Sequence, residues 1–192
     1  MIKDALVFLR DYLNREIRLT YGIDEDKVVV GSLIDPDGSL AAEMTNRMVL
    51  SLVCLEQEAA SGDSGKYISS SAGGFERKSP PIHLNLFVLM SANYHSSNYL
   101  EALKMLSSSI AIFQGSSVFD RSSHPEMEKS LNRLALEIVN MPLKDYSNIW
   151  NGIGAKYVPS IMYKIRLVTI EKDKIVGIIP EITGLDTKTK ND

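Results

Sequence analysis

The 192-residue chain holds one cysteine, three histidines and one tryptophan, and each scarcity excludes something. Cys54 has no partner for an internal disulfide, and its place in the apolar run 48–55 makes a small buried thiol the expected reading. His83, His95 and His124 are scattered, and none has a second histidine at helical spacing, so no catalytic zinc pattern exists. No stretch approaches the roughly 18 apolar residues of a membrane span. The opening residues Met1 to Leu6 lack the basic region and unbroken apolar run of a secretory signal, so synthesis in a reducing cytoplasm is expected. A net charge of -3 supplies no basic field for phosphate, and nucleic acid is not an expected partner.

Catalytic motifs are missing in the same way. Gly65-Lys66 lies in a segment that briefly looks like a phosphate-binding loop, but that motif needs glycine at position 60 and a hydroxyl residue at 67, where Ala60 and Tyr67 stand. No Gly-x-Ser-x-Gly elbow occurs, although Asp120 lies near His124 among several serines. Glu56 and Glu58 share a strand face and read as a solvated pair. No cofactor is implied, and the chain is not expected to be an enzyme.

What is present is an ordinary globular balance, 44% apolar and 23% charged, long enough for one domain. Ile2, Ala5, Leu6, Leu9, Leu13 and Ile17 recur at helical spacing, with Gly22 placed to end the helix. Residues 28–34 read as a strand closed by the turn Asp35-Pro36-Asp37-Gly38, and 46–55 as a strand with both faces largely buried. Residues 59–79 are rich in serine and glycine, with Tyr67, Ile68 and Phe75 their only bulky apolar side chains, and read as a long flexible loop. Strands follow at 82–92, 131–141 and 161–170, a second helix over 99–113 ending near Gly115, and a short one after Pro142 that carries Trp150. Trp150 and Tyr157 flank a glycine-containing corner, where the tryptophan is expected to plug the helix onto the sheet. Residues 175–182 can pair once more, and 183–192 form a polar tail.

The fold class expected is therefore α+β: a single domain with a mixed or mainly antiparallel sheet of about five strands and two long helices packed against it. The main domain spans 1–170, and 171–192 form a C-terminal arm.

The segments also resemble a known family. Ile2-Lys3-Asp4-Ala5-Leu6, the run from Phe8 to Asn14, Asn46-Arg47 with Val49 to Val53, and Pro80-Pro81-Ile82-His83-Leu84-Asn85-Leu86 are similar to tail terminator, or cap, proteins of extracellular contractile injection particles of the antifeeding-prophage type. Tyr99-Leu100-Glu101-Ala102-Leu103, Ile112-Phe113-Gln114, the run Leu136 to Asn140, and Ile149-Trp150 on to Arg166 extend the likeness in the same order. The resemblance implies a structural protein: a hexameric ring on the end of the inner tube and sheath of a phage-tail-like particle, which ends tail growth. Its partners would be its own copies, tube and sheath, in a particle assembled in the cytoplasm and open to release.

Asn46, Arg47, Lys156, Tyr157, Lys164, Arg166, Ile175 and Ile178 are the candidate subunit or particle contacts. For Lys164 and Arg166, which alternate with apolar residues along a strand, a solvent face and a charged subunit contact both fit. Two other functions fit the sequence, a monomeric protein-binding adaptor and a small enzyme with His83 and Asp120 beneath the 59–79 loop.

Overall fold

The structure, a computed structural model, describes residues 1–58, 67–69, 75–78, 82–170 and 175–179. By contacts the chain divides into two compact units, one of Met1–Glu58 with His83–Thr169 and one of Ala59–Ile82 with Ile170–Asp192.

The first unit opens with helix α1, Ile2–Tyr21, whose buried stripe runs through Leu6, Leu9, Leu13 and Ile17. It stops at Gly22, which takes a left-handed φ of 64° and whose N–H closes on the Arg18 carbonyl. Strand β1, Val28–Val30, follows and runs parallel to β2, Arg47–Gln57, pairing Val28 with Met48 and Val30 with Leu50. Only three of the residues expected at 28–34 are in the strand. The chain turns off at Gly31, which passes so close to the Met44 side chain that a Cβ there would collide with it.

Strand β2 pairs antiparallel with β5, Ile82–Asn93, across a register shift between Leu52 and Cys54. Helix α2, Tyr99–Gly115, returns the chain to the far side of the sheet. There β6, Val118–Asp120, β7, Arg133–Ile138, and β8, Ser160–Ile170, pair antiparallel in the order β8-β7-β6. Helix α3, Leu143–Ile153, joins β7 to β8. The completed order is β1-β2-β5-β8-β7-β6, a mixed sheet of six strands where about five were expected.

The sheet separates two apolar clusters. On one face Met48, Leu50, Leu86, Val88, Met90, Tyr163, Ile165 and Leu167 meet α1 and α2. On the other, Val49, Leu89 and Met162 meet Trp150 of α3 and Leu33. This alternation along each strand is the period-two pattern by which a sheet covered on both sides presents apolar residues both ways. Each fully buried leucine of the larger cluster, Leu9 and Leu13 among them, contributes about 1.5–3 kcal/mol from removal from water.

Two polar side chains, Asn14 of α1 and Ser109 of α2, are buried on the helices that cover that larger cluster. Asn14 is buried; its Nδ2 donates to the Val28 carbonyl at 2.9 Å, and its Oδ1 accepts from the Val28 N–H at 2.9 Å. The carboxamide thus satisfies both backbone groups of the first residue of β1 and fastens that strand to α1. The two long helices are also tied to each other: the Tyr21 hydroxyl lies 2.5 Å from Ser108 Oγ, and the Lys104 ammonium stands 4.4 Å from the Tyr21 ring centroid.

The second unit contains a three-stranded antiparallel sheet of β3, Tyr67–Ser69, β4, Phe75–Lys78, and β9, Ile175–Ile179, in that order. Two of its strands lie inside the stretch expected to be a loop, and the third is the segment expected to pair once more. That 59–82 and 170–192 join in one unit was not foreseen.

Replacing Asn14 with leucine leaves the Val28 N–H and carbonyl buried without partners. We expect a loss of about 2–4 kcal/mol in unfolding free energy, measured as a lower urea midpoint at unchanged slope. An Asn14→Leu variant as stable as the parent would show that β1 is held by its ladder to β2 alone.

Candidate assembly surface

The residues with catalytic potential are engaged in structure. The Asp120 carboxylate accepts from the Ser122 N–H at 3.0 Å, the Ser122 hydroxyl at 2.5 Å, and the Ser123 N–H and hydroxyl, both at 2.9 Å. These donors, the Ser122 hydroxyl foremost, hold it well below the usual carboxylate range. In an acyl-transfer triad the carboxylate orients the imidazole. Here it binds the serines, while His124 Nδ1 faces Ser123 Oγ at 3.0 Å and its ring packs edge-on to Phe119, Tyr12 and Phe8. The cluster is a tied turn seated on aromatic rings. His95 caps a one-turn helix at 96–98, and His83 lies in β5. Burial pushes the phenols of Tyr94 and Tyr163 up to about 12. Among the described residues no group of three His, Cys, Asp or Glu side chains is placed to hold a metal.

The eight candidate contacts fall into three places. Asn46 and Arg47 stand at the start of β2. Asn46 adopts a positive φ of 56°, uncommon outside glycine, and its Oδ1 accepts from the His95 N–H at 3.0 Å. Arg47 lines a cleft with Arg10, Val29, Val30, Glu43 and Met44 and reaches Glu25 at 4.0 Å. Lys156 and Tyr157 lie at the same end of the sheet, in the turn before β8, whose Pro159 carbonyl accepts from the Ala92 N–H where β5 ends. Lys164 and Arg166 are in β8, on the face opposite α1 and α2. Lys164 stands 5.9 Å from the Phe87 ring centroid and 4.0 Å from Glu56, and Arg166 lies 3.5 Å from Glu137. Ile175 and Ile178 belong to β9 of the second unit, in register with Lys78 and Glu76.

The corner at α3 divides as the sequence suggested. Trp150 is 4% exposed and plugs α3 onto the sheet, while Tyr157, 66% exposed, packs its ring against the indole at 5.6 Å between centroids. Leu143, Tyr146, Asn151 and Lys156 extend this pair into a groove of about 530 Å³. Gly154 ends the helix at a left-handed φ of 77°, which turns the chain toward Tyr157.

The second half of β2 departs from expectation. Residues 46–55 were read as buried on both faces, with Cys54 a buried thiol. Instead Cys54 is exposed, and Leu52, Val53 and Leu55 are 38%, 36% and 45% exposed. The cause is the shortness of β1, which stops opposite Leu50. Among the described residues no strand pairs with β2 beyond that point on its outer side. At the start of the open edge, Leu6, Leu33, Leu52, Val53, Ile149 and Ile153 line a cleft of about 610 Å³. The only signal in the sequence was Gly31-Ser32, which breaks the β-branched run.

Comparison with known families places this architecture. The family model of the Pvc16 N-terminal domain matches residues 6–183. The chain belongs to that family. Two solved structures share its fold. One is a sheath/tube terminator of an extracellular contractile injection system, PVC, in its extended state, at a TM-score of 0.60 and 10% identity over 100% of this chain and 64% of that one. The other is the tube-terminating cap of the anti-feeding prophage, at a TM-score of 0.54 and 12% identity over 96% of this chain and 61% of that one. The present chain thus spans less than two thirds of the length of either structure. No curated protein matches significantly. The matched region takes in segments of both compact units.

Trp150→Ala should lose about 3–5 kcal/mol of stability through the cavity left under α3, whereas Tyr157→Ala should leave the melting temperature nearly unchanged. Thermal unfolding of both variants checks this. An unaltered melting temperature for Trp150→Ala would mean that α3 is held by Tyr146 and Ile149 instead.

Proposed function

We propose that this chain caps a contractile injection particle, forming a ring on the last layer of inner tube and sheath and ending tail growth there by stoichiometric assembly rather than catalysis. The observation that carries this reading is the match of the Pvc16 N-terminal domain model over residues 6–183, supported by a fold shared with two terminators. Its partners are then further copies of itself, six by analogy with the resemblance, together with tube and sheath subunits. Assembly takes place in the cytoplasm of the producing cell. No described helix is long and apolar enough to cross a membrane.

The basic pair Lys164 and Arg166 and the aromatic groove at Trp150 and Tyr157 are the polar and apolar faces offered to those partners. Asn46, Arg47 and Lys156 add polar groups at one end of the sheet. The C-terminal arm contributes through β9, and Ile175 and Ile178 are its candidate contacts.

Electron microscopy of particles from cells lacking the protein tests the reading. Tails of uncontrolled length or unstable sheath are expected, restored by the full-length chain. Uniform, capped tails in the null strain would remove the terminator function. Truncation after Ile170 deletes β9 but leaves the first unit's residues intact, so it should weaken seating on the particle without unfolding that unit. Normal tails with the truncated chain would remove the role given to the arm.

A further inference from the structure

Both edges of the six-stranded sheet lie within the first unit, and they point the same way. Ala92, at the end of β5, donates to Pro159 just ahead of β8, and Lys164, further along β8, stands against Phe87 and Glu56. β8 therefore runs antiparallel to β5. Since β2–β5, β8–β7 and β7–β6 are also antiparallel, β2, β8 and β6 share one direction. Register then fixes the height of β6: Val118 pairs with Ala135, Ala135 with Arg166, and Arg166 lies two residues beyond Lys164. So β6 stands level with the open part of β2, not with the part β1 covers. Val118 is 40% exposed there.

The two edges carry opposite charge. Glu56 and Glu58 are exposed on β2 and just past its end, whereas Arg121 and Arg133 are exposed beside β6. Asp120 also lies at the β6 edge, and its carboxylate, kept ionised by Ser122 and Ser123, offsets one of the two guanidinium charges there, as Lys164 at 4.0 Å offsets part of Glu56.

We propose that copies of this chain join head to tail by pairing the open edge of β2, residues 52–58, with β6 of the next copy as parallel strands, so that the sheets continue from copy to copy around a closed ring. This rests on the reading that the protein works as a ring. Rotation about an axis along the strands preserves their direction, and two edges of matching height and direction on one sheet are what such a heterologous, closing contact requires. The competing arrangement, two β2 edges meeting about a two-fold axis, sets Glu56 and Glu58 against their own copies, and like charges across strands repel. β6 is three residues long, so a single pair is brief. Closure, which holds every copy at both edges, makes it persist.

The test uses the full-length chain. Light scattering over a concentration series first establishes whether a ring forms. Cys54 provides an exposed thiol on the β2 edge, and Val118→Cys adds one on β6. Within one copy the two positions are four strand spacings apart, about 19 Å, beyond the reach of a short bis-maleimide. Between copies the reagent should give a ladder of covalent multimers ending at the ring, where the parent chain yields dimers at most. Glu56→Lys with Glu58→Lys should raise the concentration needed for assembly about tenfold, Arg121→Glu should do likewise, and combining them should restore much of the loss. Melting temperatures confirm that each variant folds. A ring that forms equally well in every variant and gives no ladder overturns the edge pairing but leaves the ring intact. Crosslinking that stops at dimers in Val118→Cys also overturns it. A chain that stays monomeric both in solution and with tube ends overturns the ring and the pairing together.

Discussion

The bidentate contact between Asn14 and Val28 sets the limits of the sheet. It joins α1, about one turn before its buried stripe ends at Ile17, to the first residue of β1, so the strand begins where the helix can hold it. From Val28 the chain has three residues before Gly31 turns it away beneath Met44. A strand so short can cover only the first rungs of an eleven-residue neighbour. The open edge of β2 is thus a consequence of how α1 anchors β1, and its exposed leucines follow from geometry already settled twenty residues upstream.

The two sheet faces are covered unequally. α1 and α2 are long, lie on one side, and bury nearly every inward residue from Met48 to Leu167. α3 has eleven residues and covers the other face only around Val49, Leu89, Met162 and Trp150. Past it along β8 the same face becomes Lys164 and Arg166, neutralised in part by Glu56 and Glu137. A pair at 3.5–4.0 Å with half-exposed partners contributes little to stability, on the order of 0–1 kcal/mol.

Much of this was legible in advance because the elements follow their own periodicities. The stripe Leu6-Leu9-Leu13-Ile17, the strand from Ile82, and the helix closed at Gly154 are local patterns, and the structure has them within a few residues. What sequence reasoning missed depends on relations between distant segments. Whether Leu52 and Cys54 are buried turns on the length of another strand, and whether Tyr67 to Ser69 pair depends on β4, itself paired with residues 175–179. The candidate contacts show the same division: Arg47 and Tyr157 were found as surface residues, but the separation of all eight into three places requires the topology. Apolar character in β2 was read as burial, although a strand at a sheet edge can carry it for a neighbour instead.

Charge illustrates why composition cannot report such a site. A net charge of -3 over 192 residues describes a nearly balanced molecule. The balance is a sum over a surface on which carboxylates gather at the β2 edge and guanidinium groups beside β6. At physiological ionic strength charges are screened beyond about 8 Å, so a neighbour docking at one edge responds to the two or three groups it meets and hardly at all to the total. Opposite signs at the two ends of one sheet cancel in the sum, and that cancellation is itself what a head-to-tail contact demands, since each copy must offer one sign to the copy before it and the other to the copy after.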